Sequence, residues 1–281
     1  QAHLPRLGAM PKNGRAEPVA TPLDLENRAL EHLRAAPAAG AVELREAEDM
    51  GFIHVSAAGF DGLIHWRGKR GANELVLHGP GRSSELLDAR DAFLIDLPGH
   101  GLSDDWPQGV VPTFADFAAV AAAAAQAAGS FKAVIGEGLS ALLAAEVARV
   151  SGIPGWGAVR AEIPQAADMA KWAERFIPDQ TPDRFGNYLT AAWSAVRAAH
   201  FFWPWFEARA AHAIPFTADD IAPEALALEH RSLIRGRKAR ALVHALAAVD
   251  RDRLMGQAPE LVRWERAAWA EGRADIWKPN S

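Results

Sequence analysis

The sequence predicts an α/β fold in which helices flank a mostly parallel sheet. Apolar runs of four residues, such as Glu74–Leu77 and Ala92–Ile95, suit strands that are buried on both faces of a sheet. Helical patterns such as Phe114–Ala128 alternate with these strands, as is typical of parallel sheets with crossover connections. After Ile163 the pattern turns helical and rich in aromatic residues, which indicates a helical segment added to the sheet.

The remaining elements are assigned in order from apolar periodicity and turn residues. Residues 1–40 are expected to form an N-terminal arm that contains one short helix, Leu23–Ala36. Three short strands separated by glycine-containing turns then begin the core, at Val42–Arg45, Phe52–Ser56 and Gly62–Trp66. The later core elements are the strand Lys132–Ile135, the helix Leu139–Arg149 and the strand Gly157–Ile163.

Four segments follow from these assignments. The arm at residues 1–40 precedes an α/β core at 41–164, a helical segment at 165–250 and a C-terminal helical tail at 251–281. Within the tail, a helix is expected at Pro259–Ala270. Because no buried strand is recognised after Ile163, the sheet is expected to lack its late strands.

Composition excludes several classes of protein. The 281 residues, 49% of them hydrophobic, are enough to bury a full core. Thirty Lys and Arg against 35 Asp and Glu give a net charge of -5, which argues against a nucleic-acid partner. The absence of cysteine excludes disulfides, thiolate metal sites and a cysteine nucleophile. No apolar run approaches the roughly 18 residues of a membrane span.

Neither a cofactor nor a metal is expected. The ten histidines form no H-x-H or H-x-x-x-H pair, and the loop Gly79–Gly81 lacks the Lys-Ser/Thr of a phosphate-binding loop. The first ten residues contain no apolar segment of the kind found in secretion signals, which favours a cytoplasmic location.

Three motifs occur in order at the ends of predicted strands. They are Leu77–Gly81 (LHGPG), Asp96–Ser103 (DLPGHGLS) and Val134–Ser140 (VIGEGLS). Together they resemble the α/β-hydrolase superfamily, and the resemblance covers about residues 42–250. It implies the α/β-hydrolase fold, and the aromatic segment Phe201–Phe206 looks like the helical lid of lid-bearing members, which makes residues 165–250 the expected lid.

The chain departs from the family at the nucleophile. In the family, a strand-to-helix turn of sequence G-x-S-x-G presents the catalytic serine. Aligning this turn with Gly136–Ser140 places Gly138 where the serine stands. Glycine has no side chain that can attack a substrate, so a covalent acyl-enzyme mechanism is excluded at this position. Ser140 is expected to be an ordinary serine at a helix N-terminus.

The oxyanion hole and the general base also depart from the family pattern. The resemblance implies that the N–H groups of Leu139 and Pro80 would form the hole, but proline has no N–H. Losing one such donor costs about 100- to 1000-fold in turnover. The family's base is a histidine after the last strand, and no histidine follows Asp250. Glu162 and Asp168, which follow the sixth strand, are expected to be solvated carboxylates.

A frame for a pocket remains, formed by His78, Gly79, Gly138 and Leu139. Two side chains are candidates for catalysis. Glu137 precedes the position of the missing nucleophile and would act as a general base if burial raised its pKa. His100 belongs to a turn motif whose histidine commonly has a structural part in the family.

Large aromatic side chains are dense in the expected lid. Most are expected to pack as its core, while the rest line a cavity for an apolar or aromatic ligand or form a patch for a protein partner. The aromatic residues singled out are Trp193, Phe202, Trp203 and Trp205.

These departures predict a hydrolase-like pseudoenzyme, a non-catalytic binding or assembly subunit. It would bind a protein partner or a second copy of itself, since a sheet edge without late strands needs a cover. The alternative is an active enzyme that handles a small apolar or aromatic ester, lactone or carbonyl compound without a serine. Glu137, His100 or a lid residue would then supply acid-base chemistry.

Overall fold

The computed structural model describes residues 49–88 and 90–279. The predicted arm, with its helix Leu23–Ala36, and the predicted strand Val42–Arg45 lie outside these residues. A seven-stranded sheet forms the centre of the described chain, with the strand order β1-β2-β4-β3-β5-β6-β7. The strands are β1 (Met50–Ala57), β2 (Phe60–Gly68), β3 (Glu74–Leu77), β4 (Phe93–Ile95), β5 (Ala133–Glu137), β6 (Gly155–Ala161) and β7 (Glu260–Arg266).

The sheet is mostly parallel, and its antiparallel pairs are those that β2 forms with its two neighbours. β1 and β2 are joined by Ala58 and Gly59, whose φ values of 50° and 72° suit a two-residue hairpin turn. β2 runs antiparallel to β4, and the remaining neighbours pair in parallel. The predicted fold class, a mostly parallel sheet flanked by helices, is confirmed.

Seven α-helices accompany the described sheet. They are α1 (Phe114–Ala128), α2 (Ala141–Ser151), α3 (Met169–Arg175), α4 (Asn187–Ala199), α5 (Pro223–Arg235), α6 (Ala239–Ala247) and α7 (Arg251–Gln257). α1 begins at a capping box between Thr113 and Asp116, and its alanine-rich face packs against α2. α2 packs in turn on β5 and β6 and ends at Gly152, which has a left-handed φ of 70°. None of these helices has the length and apolarity needed to cross a membrane.

The prediction of a helical C-terminal tail is wrong for one element. Residues 260–266 form the strand β7, parallel to β6, where the sequence predicts the helix Pro259–Ala270. β7 is a partly exposed strand, ELVRWER, in which charged residues interrupt the apolar ones, so it lacks the continuous apolar run that marks the buried strands. The sheet therefore has one late strand more than predicted, and within the described residues none follows it.

Five helices, α3 to α7, connect β6 to β7. We call this connection, residues 162–259, the helical insert. The predicted helical segment at 165–250 contains four of the helices, and α7 falls in the predicted tail. The insert therefore leaves and rejoins the sheet between two neighbouring parallel strands.

A buried carboxylate organises the loops at the carboxyl ends of β3 and β4. Asp96 Oδ1 accepts a hydrogen bond from the Ser84 N–H at 2.7 Å. Asp96 Oδ2 accepts one from His65 Nδ1 at 2.8 Å and one from the Leu102 N–H at 3.0 Å. Gly101 lies so close that an added Cβ would stand 2.2 Å from Asp96 Oδ2, so glycine is required there. Burial opposes the charge, but these hydrogen bonds and nearby His78 hold the pKa of Asp96 well below its ordinary value.

Replacing Asp96 by asparagine is expected to lower the free energy of unfolding at pH 7 by about 3 kcal/mol. The amide would set an NH2 group against an N–H donor and leave His65 without its charged partner. A depressed pKa stabilises the fold above the unfolded value of about 3.9 and ceases to do so as the pH falls towards the folded value. Urea unfolding should therefore show the gap between wild type and D96N narrowing below about pH 4.

The exposed Asp91 provides the matched control, because D91N removes the same charge at a solvent-exposed site, where Lys69 lies 3.7 Å away and Arg90 is adjacent. D91N is expected to change stability by less than about 1 kcal/mol. Equal losses in D96N and D91N would refute the role assigned to Asp96.

Candidate functional site

A cavity of about 710 Å³ lies between the helical insert and the loops at the carboxyl ends of β3, β5, β6 and β7. Ligands of parallel sheets bind at this edge, because the loops that follow the strands meet there. Its polar floor is formed by Gly79, Arg82, Glu137, Arg160 and Glu162. Its walls include the aromatic residues Phe176, Trp203, Trp205, Phe216 and Trp269.

The turn between β5 and α2 has the sharp geometry that the motif predicts. A Cβ at Gly136 would stand 2.2 Å from the carbonyl oxygen of Ser140, so the chain can double back only with glycine at this point. Gly138 has a φ of 57°, in the left-handed region. The turn is thus built to present a side chain at position 138, but glycine presents none.

The carboxyl group of Glu162 stands where that side chain would extend. A Cβ added to Gly138 would lie 2.9 Å from Glu162 Oε1 and 3.3 Å from Glu162 Cδ. Glu162 follows β6 by one residue, so the carboxyl ends of the neighbouring parallel strands β5 and β6 bring the two residues together. Glu162 lines the cavity and covers Gly138.

Glu162 is a half-buried acid with a raised pKa. Burial raises its pKa to about 8, and the negative charge of Glu137 adds to this effect, while Arg160 and Arg82 oppose it. Within the described residues, no hydrogen bond or ion pair reaches its carboxyl group. The expectation of a solvated carboxylate is therefore wrong for Glu162, although its place at a parallel strand end was a usable signal.

Glu137 is held as a carboxylate. Its Oε2 accepts hydrogen bonds from the Gly79 N–H at 3.1 Å and from Arg82 Nε at 2.9 Å. The guanidinium of Arg160 lies 3.7 Å from its Oε1. Burial by itself would raise the pKa of Glu137, but the two arginines and the Gly79 N–H lower it. The raised pKa that would make Glu137 a general base is thus found at Glu162 instead.

The first two positions of the loop after His78 offer no free N–H to an oxyanion. Pro80 supplies none, as the sequence predicts, and the Gly79 N–H is already donated to Glu137. Leu139, whose N–H is the other implied donor, is fully buried. The carboxylate of Glu137 therefore takes the N–H donor that directly precedes Pro80.

The two histidines of the motifs belong to the packing beneath the site. His78 Nε2 accepts a hydrogen bond from the Leu97 N–H at 2.9 Å, so its Nδ1 donates to the Gly79 carbonyl. The His100 ring packs on His78 with 5.1 Å between centroids and is completely buried. Burial and the neighbouring His78 lower the pKa of His100 to about 3. Both side chains therefore hold the loops in place.

An ion-pair chain that the sequence did not reveal joins the floor to the helical insert. Arg82 bridges Glu137 and Glu229 of α5, with 3.7 Å from its Nη1 to Glu229 Oε1. His200, which follows α4, lies 2.8 Å from the other oxygen of Glu229. Arg160 joins the floor from a bulge in β6, where it has a strained φ of 50°.

The aromatic residues serve the cavity and the core of the insert together. Trp203 packs on Trp269 with centroids 4.8 Å apart, and Trp205 Nε1 donates to the Phe176 carbonyl at 2.8 Å. Trp193 packs against His230 instead. Of the residues singled out from the sequence, the cavity lining contains Gly79, Glu137, Trp203 and Trp205. The other six are not among the residues that line the cavity: His78, His100, Gly138, Leu139, Trp193 and Phe202.

Metal binding has no structural support in the part of the chain that the structure describes. Over residues 49–88 and 90–279, no three histidine or carboxylate side chains are grouped so that they could hold an ion.

Comparison with known proteins supports the fold. No family model and no curated protein matches the chain. Among solved structures, a proposed aryl esterase from Burkholderia cenocepacia is 15% identical, with 76% of this chain and 79% of that chain covered and a TM-score of 0.52. Epoxide hydrolase A from Mycobacterium thermoresistibile is 13% identical, with 77% and 90% covered and a TM-score of 0.51. The chain therefore has the α/β-hydrolase fold that its three motifs indicate.

Proposed function

We propose that this chain is a non-catalytic α/β-hydrolase-fold protein that binds a small molecule with an apolar or aromatic body. The helical insert acts as its lid. The observation that carries the proposal is the replacement of the nucleophile by Gly138, with the un-ionised Glu162 carboxyl in its place.

The site lacks the groups that ester hydrolysis through an acyl-enzyme requires. Gly138 carries no nucleophile, Pro80 has no N–H at the position of the loop donor, and the preceding Gly79 N–H is donated to Glu137. Among the described residues, His200 is the histidine of the cavity lining, and its Nε2 is engaged by Glu229. These three features support binding without covalent chemistry.

The cavity retains what binding requires. Its volume of about 710 Å³ lies within the range of small-molecule sites, which is roughly 300 to 1,000 Å³. Aromatic walls provide apolar contact area, and a few polar groups are confined to the floor. An assembly role would instead use exposed apolar residues, and Met50, Phe52 and Leu63 share the outer face of the β1–β2 hairpin. Nothing else on the described surface identifies a partner, so cavity binding is the function we put forward.

Restoring a serine is expected to leave the protein inactive. In G138S, the new Cβ would meet Glu162 at 2.9 Å, and the base and oxyanion donor would still be lacking. Hydrolysis of p-nitrophenyl acetate by wild type and G138S should equal the rate of a heat-unfolded sample. G138A controls for the strain of a side chain at a left-handed position. Turnover by the wild type that scales with protein concentration would contradict the non-catalytic proposal.

Filling the cavity is expected to abolish binding. Ala199 lines the cavity near the end of α4, whereas Ala191 is exposed on the same helix. A199W should weaken the binding of 2-naphthylacetamide at least tenfold in calorimetry, because the indole takes the space of the ligand. A191W should bind as the wild type does. Equal affinity in both variants would place the ligand elsewhere.

A second candidate function is supported by one observation. Glu137 and Glu162 line the same floor with pKa values shifted in opposite directions, an arrangement that assigns a base and an acid. The Glu137 carboxylate, a weak base because its pKa is lowered, would then take a proton from the water that attacks a small apolar or aromatic ester or lactone, while Glu162 protonates the leaving oxygen. His100 has no part in this scheme because it is buried beneath the site.

The second candidate predicts lactone hydrolysis by the wild type. The rate of hydrolysis should fall as the pH rises above about 8, since Glu162 must carry a proton to act as the acid. The substitution E162Q should abolish the hydrolysis. Titration of dihydrocoumarin hydrolysis with a pH-stat measures both effects. A wild-type rate no higher than that of buffer would eliminate this candidate.

A further inference from the structure

The charges at the floor of the cavity balance one another. Arg82 pairs with Glu137 and Glu229, Arg160 lies beside Glu137, and His200 contacts Glu229. Arg266 of β7 donates to the carbonyl oxygens of Ala270, Arg273 and Ile276. Two further acids of the lining, Asp219 and Asp220, are exposed. An added charge on a ligand would therefore meet a like charge close by, whichever its sign.

Glu162 is the acidic side chain of the floor that takes part in none of these ion pairs. Its carboxyl group faces the cavity, and within the described residues nothing donates to it or accepts from it. An un-ionised carboxyl presents one O–H donor and one carbonyl acceptor side by side. Such a group is matched by a neutral partner that offers an acceptor and, beside it, a donor.

We propose that the Glu162 carboxyl recognises the carbonyl oxygen and the N–H group of a neutral ligand, a carboxamide or lactam whose apolar body lies between the aromatic walls. The assignment rests on the proposed binding function and names its ligand class. A carboxylate would be repelled by Glu137 and Glu229, and an ammonium group by Arg82 and Arg160. The walls formed by Trp203, Trp205 and Trp269 suit a flat apolar body.

Four naphthalene probes with one common body separate the alternatives. They are 2-naphthylacetamide, 2-naphthylacetate, 2-(2-naphthyl)ethylammonium and 2-methylnaphthalene, measured by calorimetry at pH 6 and pH 9. At pH 6 the amide should bind about tenfold more tightly than methylnaphthalene, as one hydrogen bond allows. Its affinity should fall about tenfold at pH 9, where Glu162 is ionised and no longer donates.

Two substitutions at Glu162 test the residue itself. E162Q retains a donor and an acceptor, so it should keep the pH 6 affinity for the amide within about threefold and lose the pH dependence. E162L removes both groups and should weaken the amide about tenfold at pH 6 without changing the binding of methylnaphthalene. E224Q, at an exposed glutamate in the first turn of α5, should bind all four probes as the wild type does.

Each remaining outcome counts against a stated claim. Tightest binding of the acetate or the ammonium probe overturns the neutral ligand class, as does an E162L variant with unchanged amide affinity. If all four probes bind alike and A199W blocks them, cavity binding stands and the role of Glu162 fails. If no probe binds at either pH, the proposed binding function fails together with it.

Discussion

The site depends on the compensation of one buried charge, the carboxylate of Glu137. A buried carboxylate is tolerated only when hydrogen bonds and opposite charges replace the water it has lost. Gly79 and Arg82, in the loop after β3, and Arg160, in β6, supply this compensation from two distant parts of the chain. Because Arg82 also reaches Glu229, the same charge links the sheet to the helical insert that covers it.

The state of Glu162 follows from that arrangement. Both arginines of the floor are committed to Glu137 or Glu229, and Arg160 holds its position at the cost of a strained backbone. Burial and the negative charge of Glu137 therefore outweigh the opposing effect of Arg160 and Arg82 and raise the pKa of Glu162 to about 8. The pKa values of Glu137 and Glu162 thus shift in opposite directions because Glu137 has hydrogen-bond and ion-pair partners that Glu162 lacks.

Sequence patterns predict the parts of this structure that local chemistry decides. The strands Glu74–Leu77 and Phe93–Ile95 are buried on both faces, so their apolar runs identify them. β7 is missed because its sequence, ELVRWER, is partly exposed and does not alternate strictly, and the i, i+3 spacing of Leu261 and Trp264 also suits one face of a helix. The sharp turn at Gly136 is readable in its glycines, since a Cβ has no room there.

The chemistry of the site was harder to predict because its causes lie far apart in the chain. Glu137 meets Arg82 from 55 residues away, and no periodicity encodes that meeting. The sequence identifies the missing nucleophile at Gly138 but does not identify the carboxyl that takes its place, which depends on the register of β5 against β6.

Three of the ten tryptophans, Trp203, Trp205 and Trp269, line the cavity. The protein therefore carries its own fluorophores at a place where a bound ligand would exclude water and alter their emission.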